Sequence, residues 1–336
     1  MQGPPHPPRI EQPTAVKDLA VAQRGRTIEL TFTLPELATD GERLSKPLEV
    51  EILRAVFPPA QPGPPVSSAL GPWKTLAAEE LSRIKKEDKA VFPFVFSPDE
   101  FRKERGATLA FGVRTLTRRF RRRAVESDLS NIVQVILVDV PAAVTDLKAR
   151  TEEHALALNW CAPAQTVTGQ AATNLSAYCI YRSSTGKPGS FAIRGEVSSA
   201  EFRDLDFEFG RTYLYRVTAV AKQDGSVAES EESPAVEITP RDVFPPAVPR
   251  GLNAVYTTDA VELIWTANSE PDLAGYNVYR REEGGEERKI NQEILRTPIV
   301  RDTTVAPGRK YIYRVTAIDL ANNESARSEE APVETH

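Results

Sequence analysis

The sequence predicts an all-β protein made of three tandem antiparallel β-sandwiches, the first with a partly helical insertion. Three observations lead to this fold class. Short motifs recur along the chain, apolar and polar residues alternate within them, and 336 residues are too many for a single hydrophobic core. Apolar residues make up 40% and charged residues 26% of the chain, a globular composition that excludes a disordered or fibrous protein.

The repeats are clearest in the last two thirds of the chain. Leu147 and Trp160 recur as Leu252 and Trp265, with the same spacing in each pair. Two longer motifs recur further along, residues 178–182 as 276–280 and residues 213–219 as 311–317. The middle copy also holds an additional polar stretch at 165–176. These recurrences predict two copies of one structural unit.

Alternation within the motifs predicts strands with one buried face. In the last copy Val261, Leu263 and Trp265 occupy one set of alternate positions, and Glu262 and Ile264 occupy the other. Side chains of a strand point to opposite faces with a period of two, so the first set is expected to face the core. Short strands of this kind, separated by turns, are typical of an antiparallel sandwich of ~100 residues.

The first third of the chain is a more distant copy of the same unit. Phe32 stands at the position of the two tryptophans, and Leu109 stands at the position of the later tyrosines. Extra residues near 57–105 predict an insertion in this copy. We therefore expect a divergent first sandwich.

The insertion carries signals of its own. Apolar spacing predicts a helix over residues 75–88, and the alternating Phe92, Phe94 and Phe96 predict a strand. The sequence Ser-Pro-Asp-Glu at 97–100 is a capping box with proline at the first helical position, so it predicts a second helix from Pro98.

The motifs resemble the fibronectin type III pattern, which is an immunoglobulin-like sandwich. The resemblance rests on Val-x-Leu-x-Trp, Gly-Tyr-x-Val-Tyr-Arg and Tyr-x-Tyr-Arg-Val-Thr-Ala. It is closest at residues 245–335, and residues 270–280 are similar to bacterial versions in particular. It is weakest in the second half of the first copy.

The resemblance also implies roles for single residues. Trp160 and Trp265 are expected to be core tryptophans, with Phe32 in their place in the first copy. Tyr213 and Tyr311 are expected to form the tyrosine corner, in which the hydroxyl bonds to nearby backbone. Leucine has no hydroxyl, so the first copy lacks that bond and is expected to be the most irregular domain.

The repeats and the proline-rich joints divide the chain into five segments. We predict an extended tether at 1–13, a first domain at 14–139, a middle domain at 140–239, a linker at 240–249 and a last domain at 250–336. Proline fixes φ and favours extended backbone before it, so the joints are expected to be short and semi-rigid.

No catalytic, cofactor or metal motif is found in the sequence, so we expect a protein that is not an enzyme and needs no cofactor. Histidine occurs only as His6, His154 and His336, and neither a glycine-rich phosphate loop nor a zinc pattern is present. The charge run from Glu229 to Glu232 is expected to solvate a loop, and Asp272 is expected to lie in a turn.

The two cysteines, Cys161 and Cys179, alternate with residues that are expected to face the core. Both thiols should then point outward, and from opposite sheets of the middle sandwich. A disulfide needs Cα atoms within about 7 Å. This placement predicts that the two cysteines do not pair, although a bridge remains the alternative.

Two features of the first domain are candidate binding residues. Arg118, Arg119, Arg121, Arg122 and Arg123 surround one phenylalanine in a predicted hairpin. Guanidinium groups bind phosphate, sulfate or carboxylate, so this cluster is a candidate anion site; the alternative is a solvated hairpin paired with nearby acids. Trp73 is either an exposed binding aromatic or a side chain that anchors the insertion onto the sandwich.

The N-terminal residues 2–9 are similar to the tether of mature bacterial lipoproteins, with Met1 at the position of the lipid-bearing cysteine. We therefore expect an extracellular or cell-envelope protein whose contact with the membrane is limited to a removed N-terminal lipid anchor. Its partner is expected to be a protein, a glycan or an anionic surface, and the net charge of -5 argues against a specific nucleic-acid partner.

Two functions fit these observations. The first is a non-catalytic binding or spacer protein of the bacterial cell envelope. The alternative is an accessory module of a secreted carbohydrate-active system, by analogy with other fibronectin-type modules.

Overall fold

A computed structural model describes residues 10–59, 66–86, 88–118, 124–223 and 225–336. These residues are mostly β-strand with three short helices, and the strands within each sandwich pair antiparallel. The predicted all-β fold class is confirmed, and the sandwiches have the strand arrangement of fibronectin type III domains. None of the helices in these ranges is long and apolar enough to cross a membrane.

The chain divides into two compact units. The first unit runs to Arg150 and includes Leu156–Asp206 and Thr212–Ile238, and it holds two sandwiches, called here the first and the middle sandwich. The second unit consists of Thr151–Ala155, Phe207–Arg211 and Thr239–His336, and it holds the last sandwich. The first two predicted domains therefore share one compact unit.

The first sandwich has two sheets. One contains, in spatial order, β1 (Ala20–Arg24), β2 (Thr27–Thr33), β6 (Lys89–Val95) and β5 (Lys85–Lys86). The other contains β4 (Gly71–Leu76), β3 (Leu48–Phe57), β7 (Thr108–Arg118) and β8 (Ala124–Glu126), and β9 (Val133–Ile136) also pairs with β7.

Three helices accompany these strands: α1 (Val66–Ala69), α2 (Ala78–Ile84) and α3 (Pro98–Glu104). The helix predicted over 75–88 is shorter than expected, because residues up to Leu76 pair with β3 and Lys85 pairs with β6. The helix start predicted at Pro98 is confirmed. The Ser97 hydroxyl accepts from the Glu100 N–H at 3.3 Å, and the Glu100 carboxylate accepts from the Ser97 N–H at 2.9 Å.

The middle sandwich also has two sheets. One contains β10 (Thr145–Glu152), β11 (Ala155–Cys161) and β14 (Glu201–Asp204). The other contains β13 (Ala192–Val197), β12 (Leu175–Ser183), β15 (Tyr213–Gln223) and β16 (Ser226–Glu229), and β17 (Val236–Ile238) pairs with β15.

The last sandwich repeats this order, except that no strand among its described residues corresponds to β16. One sheet contains β18 (Arg250–Thr257), β19 (Ala260–Thr266) and β22 (Ile299–Asp302). The other contains β21 (Arg288–Lys289), β20 (Leu273–Glu282), β23 (Lys310–Asp319) and β24 (Ala331–Glu334).

The strand order separates the residues near 57–105 into strands of the sandwich and additions to it. Strand β4 pairs with β3, and β6 pairs with β2, as β13 pairs with β12 and β14 with β11 in the middle sandwich. Strands β4 and β6 are therefore part of the sandwich itself. The additions to the fold are α1, α2 with β5, and α3.

Alternation along the strands follows the predicted pattern. Val261, Leu263 and Trp265 are at most 4% exposed, whereas Glu262 and Ile264 face solvent. The period of two thus gives one buried and one exposed face in β19, as expected for a strand with one face on the core.

The core aromatic residues lie in three separate interiors. Phe32 is fully buried in the first sandwich, while Trp160 packs edge-on against Tyr178 and Trp265 packs edge-on against Tyr276. Each sandwich contains one of the three tryptophans, because Trp73 contacts the first core. Each tryptophan can therefore report on the unfolding of its own sandwich.

The corner position holds a buried tyrosine in the last two repeats and a buried leucine in the first. The Tyr311 hydroxyl accepts a hydrogen bond from the Ala306 N–H at 3.0 Å. A guanidinium lies 4.9 Å from the ring centre of each tyrosine, that of Arg182 over Tyr213 and that of Arg280 over Tyr311. In the first sandwich Leu109 is fully buried, and α3 occupies the connection that leads into β7.

A buried ion pair also recurs. In the last sandwich Arg280 and Asp302 are 3% and 5% exposed and lie 2.6 Å apart, and the Tyr313 hydroxyl donates to the same carboxylate at 2.9 Å. In the middle sandwich Arg182 and Tyr215 contact Asp204 in the same way, each at 2.8 Å. Two repeats thus share a charged interior trio.

Candidate functional site

The predicted arginine cluster is only partly within the described residues. Arg118 lies at the end of β7, and its guanidinium contacts both carboxylate oxygens of Glu49, at 2.5 and 2.6 Å. This contact raises the pKa of Arg118 through its hydrogen bond and its attraction to Glu49. Arg119, Arg121, Arg122 and Arg123 lie outside the described residues, so anion binding by the cluster stays a prediction.

Trp73 lies in β4 and packs onto the first core. Its ring meets Phe94 edge-on, with 4.8 Å between ring centres, and also contacts Phe92 and Phe111. The Arg54 guanidinium lies 5.3 Å from the Trp73 ring centre and pairs with Glu104 of α3. These contacts favour the anchoring role of Trp73 over that of an exposed binding aromatic.

The cysteines are both free thiols. Cys161 is exposed, whereas Cys179 is 8% exposed and packs with Ala177, Tyr181 and Val220 on the sheet surface. Burial raises the pKa of the Cys179 thiol to about 11, with nearby carboxylates adding to the effect. Cys179 is therefore a packing residue and a poor nucleophile at neutral pH.

The most distinctive feature of the first unit is the junction between its two sandwiches. Strand β1 pairs in parallel with β16 where Arg24 lies opposite Glu229, and the Gly25 N–H donates to the Glu229 carbonyl at 2.7 Å. This pairing joins one sheet of the first sandwich to one sheet of the middle sandwich. The result is a nine-stranded sheet that runs through both sandwiches.

Gly25 is required at this junction for two reasons. Its φ of +58° lies in the left-handed region that favours glycine. A Cβ added there would lie 2.5 Å from the Glu231 Cγ. A side chain at this position would therefore strain the turn and displace the exposed Glu231 side chain.

Gln23 contributes a second set of contacts to the junction. Its side chain is 4% exposed, accepts from the Val138 N–H at 2.9 Å and donates to the Val138 carbonyl at 2.7 Å. Val138 and Val140 are buried at 1% and 0%, in an apolar cluster with Ala221 and Ala228 of the middle sandwich. The predicted joint after Asp139 is thus a packed interface.

Arg24 contributes the charged part of the junction. Its guanidinium donates to Glu232 at 2.7 Å and to the Tyr181 hydroxyl at 3.3 Å, and it lies 5.5 Å from the Tyr181 ring centre. The Tyr181 hydroxyl in turn donates to Glu229 at 2.7 Å. Burial, together with this hydrogen bond to an acid, raises the pKa of Tyr181. Glu229 and Glu232 were expected to solvate a loop; instead they hold the arginine of a neighbouring domain.

In the last sandwich, the place that Arg24 takes against Tyr181 is occupied by an arginine of the same sandwich. The Tyr279 hydroxyl donates to Glu324 as the Tyr181 hydroxyl donates to Glu229. Three residues after Glu324 stands Arg327, whose guanidinium lies 3.6 Å from the Tyr279 ring centre. Three residues after Glu229 stands Glu232, which binds Arg24 instead. The charge at this position therefore decides what lies against the tyrosine. Arg327 covers Tyr279 from within the last sandwich, whereas Glu232 binds Arg24 of the first sandwich.

Sequence reasoning missed this junction, although one signal was available. The sequence Ser-x-x-Ser at 230–233 and again at 325–328 places Glu232 and Arg327 at the same position, so the charge reversal is visible in the sequence. Arg24 gives no comparable signal, because a single arginine at the end of a strand is common on protein surfaces and lies far from Glu232 along the chain. The contact only becomes apparent once the two sandwiches are placed together.

One acidic group lies within the second unit. Carboxylate oxygens of Asp242, Asp272 and Asp319 lie within 4.8 Å of one another. Asn323 bridges two of them, since its side-chain amide donates to Asp319 at 2.8 Å and to Asp242 at 3.5 Å, and its N–H donates to the other Asp319 oxygen at 2.8 Å. The buried Asp319 is therefore satisfied by protein hydrogen bonds.

Comparison with known proteins finds partial matches. The chain is similar to Exoglucanase B of Cellulomonas fimi, with 29% identity over 168 residues, which is 48% of this chain and 14% of that protein. It is similar to an amylopullulanase of Thermoanaerobacterium saccharolyticum, with 36% identity over 89 residues, or 26% of this chain and 7% of that protein. It is also similar to the titin homolog of Caenorhabditis elegans, with 26% identity over 211 residues, or 58% of this chain and 1% of that protein.

The chain thus spans only a small part of each of these relatives. No family model matches it. Among solved structures, the FN1–FN3 domains of chicken CNTN1 align with 96% of this chain and 99% of that chain, at 13% identity and a TM-score of 0.27.

Proposed function

We propose that this chain, a tandem of three fibronectin type III sandwiches, is a non-catalytic accessory segment of an extracellular bacterial system that acts on polysaccharides. We further propose that its first two sandwiches form a rigid spacer. The continuous nine-stranded sheet across the junction supports the spacer role. The names of two relatives, an exoglucanase and an amylopullulanase, support the polysaccharide setting.

A rigid spacer follows from the kinds of contact at the junction. Domains linked by a flexible chain move independently unless their interface is large or specific. Here backbone pairing, the buried Gln23 amide and the Arg24 ion pairs act together. Backbone and side-chain hydrogen bonds depend on direction, so they fix the angle between the two sandwiches as well as their contact.

Attachment to the cell envelope is the other candidate setting. It rests on the similarity of residues 2–9 to a lipoprotein tether, and those residues lie outside the described ones. The described chain begins at Ile10, and the next residue, Glu11, is already 6% exposed and accepts from the Ser45 hydroxyl at 2.6 Å. The predicted tether of 1–13 would thus end before Glu11.

The Glu232→Arg variant is expected to undock the first sandwich and leave the middle one folded. The new arginine would occupy the Tyr181 ring as Arg327 occupies Tyr279, and it would repel Arg24. Loss of a charge-assisted hydrogen bond is worth ~1.5–3 kcal/mol. Hydrogen exchange at the Gly25 amide, which bonds to the Glu229 carbonyl across the junction, should accelerate about 10- to 100-fold.

The matched control is Glu237→Arg, the same charge reversal on an exposed residue of β17. It should leave exchange at Gly25 unchanged. Amides of Ile180 and Val217 in the middle core should stay protected in both variants. Equal exchange at Gly25 in the two variants would show that Arg24 does not hold the junction, and the rigid spacer would lose its main support.

A further inference from the structure

A polar cleft of about 520 Å³ opens at the junction of the first and middle sandwiches. Three separate parts of the chain form it. Arg105 comes from the end of α3, Asp139 from the joint, and Gln170, Thr173 and Asn174 from the additional stretch of the middle copy. The cleft thus arises where the chain departs from the repeat, and its volume lies in the ~300–1,000 Å³ range of small-molecule sites.

Two buried oxygen atoms of residues that line the cleft lack a donor. Asp139 Oδ1 and Asn174 Oδ1 are buried and accept no hydrogen bond from another described protein group. A buried acceptor without a donor has lost its hydrogen bonds to water without replacement, which destabilises the fold. A ligand that brings donors to this wall would recover that free energy.

The surrounding contacts hold both side chains in place. Asp139 Oδ2 accepts from the Thr166 hydroxyl at 2.9 Å and from the Thr168 hydroxyl, and Arg105 lies 3.5 Å from it. The Asn174 amide donates to the Asp139 backbone carbonyl at 3.0 Å. The two unpaired oxygens are therefore fixed in position before any ligand arrives, which lowers the entropic cost of binding.

The charges of the cleft indicate which ligand chemistry fits. Arg105 disfavours a cation and Asp139 disfavours an anion, so the pair favours a neutral molecule. The exposed Gln170 and Thr173 add groups that both donate and accept. A hydroxyl group also does both, so a molecule with several adjacent hydroxyls matches this wall.

We propose that the cleft formed by Arg105, Asp139, Gln170, Thr173 and Asn174 binds a neutral, hydroxyl-rich ligand of the size of a mono- or disaccharide. This assignment goes beyond the spacer role, since a rigid junction needs no ligand. Sugar hydroxyls would accept from Arg105 and exchange hydrogen bonds with Gln170 and Thr173, and a hydroxyl that enters the wall would donate to Asp139 Oδ1 or Asn174 Oδ1.

The test is titration of the full chain with maltose and, separately, with cellobiose, followed by amide chemical shifts of Gly106, Thr173 and Asn174. At least one sugar should produce saturable shifts at these amides. Asp139→Asn keeps an oxygen for the Thr166 and Thr168 hydroxyls but removes the charge, and it should weaken binding about tenfold. The double variant Gln170→Ala with Thr173→Val changes only exposed side chains and should also weaken binding.

Asn159→Ala, an exposed change in the middle sandwich away from the cleft, is the control and should bind as the wild type does. Absence of shifts with both sugars at about 50 mM, well above a millimolar Kd, would overturn the assignment and leave water as the occupant. Sugar shifts of equal size in the wild type and in both cleft variants would place the binding elsewhere. Saturable shifts with calcium chloride alone would make the cleft a cation site and would equally overturn the proposal.

Discussion

The Asp302→Asn variant is expected to destabilise the last sandwich by ~3–5 kcal/mol, the usual cost of removing one partner of a buried ion pair. Arg280 would keep its charge at 3% exposure with no carboxylate beside it. Asparagine has nearly the shape of aspartate, so the loss would report charge and hydrogen bonding rather than a cavity. Trp265 fluorescence during urea unfolding would measure it, in a chain whose Trp73 and Trp160 are both phenylalanine.

The matched control is Asp259→Asn. Asp259 pairs with Arg301 at 2.5 Å, but both side chains are more than half exposed, so the loss should stay within ~1 kcal/mol. A chain with Arg280→Met, Asp302→Leu and Tyr313→Phe removes all three polar groups and should recover most of the lost stability. Equal losses for the two asparagine variants would mean that burial adds nothing to the pair.

The effect of Asp302 should depend on pH in a defined direction. Burial alone would raise the pKa of its carboxyl, but hydrogen bonds from Thr304 and Tyr313 and the charge of Arg280 outweigh burial and lower the pKa. A carboxyl with a lowered folded pKa stabilises the fold above its unfolded value of ~3.9, and loses that contribution as pH falls through the folded pKa. The difference between wild type and Asp302→Asn should therefore be full at neutral pH and shrink in acid.

The strands were predictable from the sequence because burial imposes a period of two. Positions such as Val261, Leu263 and Trp265 must be apolar wherever they recur, and this constraint is visible without coordinates. The same reasoning treated residues near 57–105 as an insertion. Strand β6 was recognised from Phe92 and Phe94, but its pairing with β2 was not, because pairing partners leave no mark in the local pattern.

The junction and the cleft could not be predicted from the sequence, for a related reason. Both depend on polar residues, and polar residues on a surface look alike whether they face water or another domain. Arg24, Asp139 and Asn174 became informative only through their partners, which lie far away in the sequence. Apolar periodicity thus predicts each sandwich but carries little information on how two sandwiches meet.

A polar motif that recurs in the sequence stabilises all three sandwiches, although apolar periodicity does not reveal it. Ser-x-x-Ser occurs at residues 127–130, 230–233 and 325–328, just after the edge of β8, β16 and the loop beyond β23. In each copy the two serines lie opposite alternate residues of the neighbouring long strand. All six serines are buried, with exposures from 0 to 7%.

Each of these serines takes the place of one hydrogen-bonded residue pair between two β-strands. The Ser230 N–H donates to the Ala219 carbonyl at 2.7 Å, and the Ser230 hydroxyl accepts from the Ala219 N–H at 2.8 Å. Ser233 makes the same two bonds with Val217, at 2.9 and 3.0 Å. The hydroxyl thus does what a backbone carbonyl does in a regular sheet, while the chain bends away from the strand.

We expect the double variant Ser230→Ala with Ser233→Ala to destabilise the middle sandwich by ~1–3 kcal/mol at each position, because the buried N–H groups of Val217 and Ala219 would lose their acceptors. Urea unfolding followed by Trp160 fluorescence, with Trp73 and Trp265 replaced by phenylalanine, would measure the loss. Ser198→Ala with Ser199→Ala, two exposed serines of the same sandwich, should change stability by less than ~0.5 kcal/mol. If both pairs cost the same, the hydroxyls are dispensable; if only the buried pair costs stability, the motif is a structural element that can be recognised in related sequences from its spacing alone.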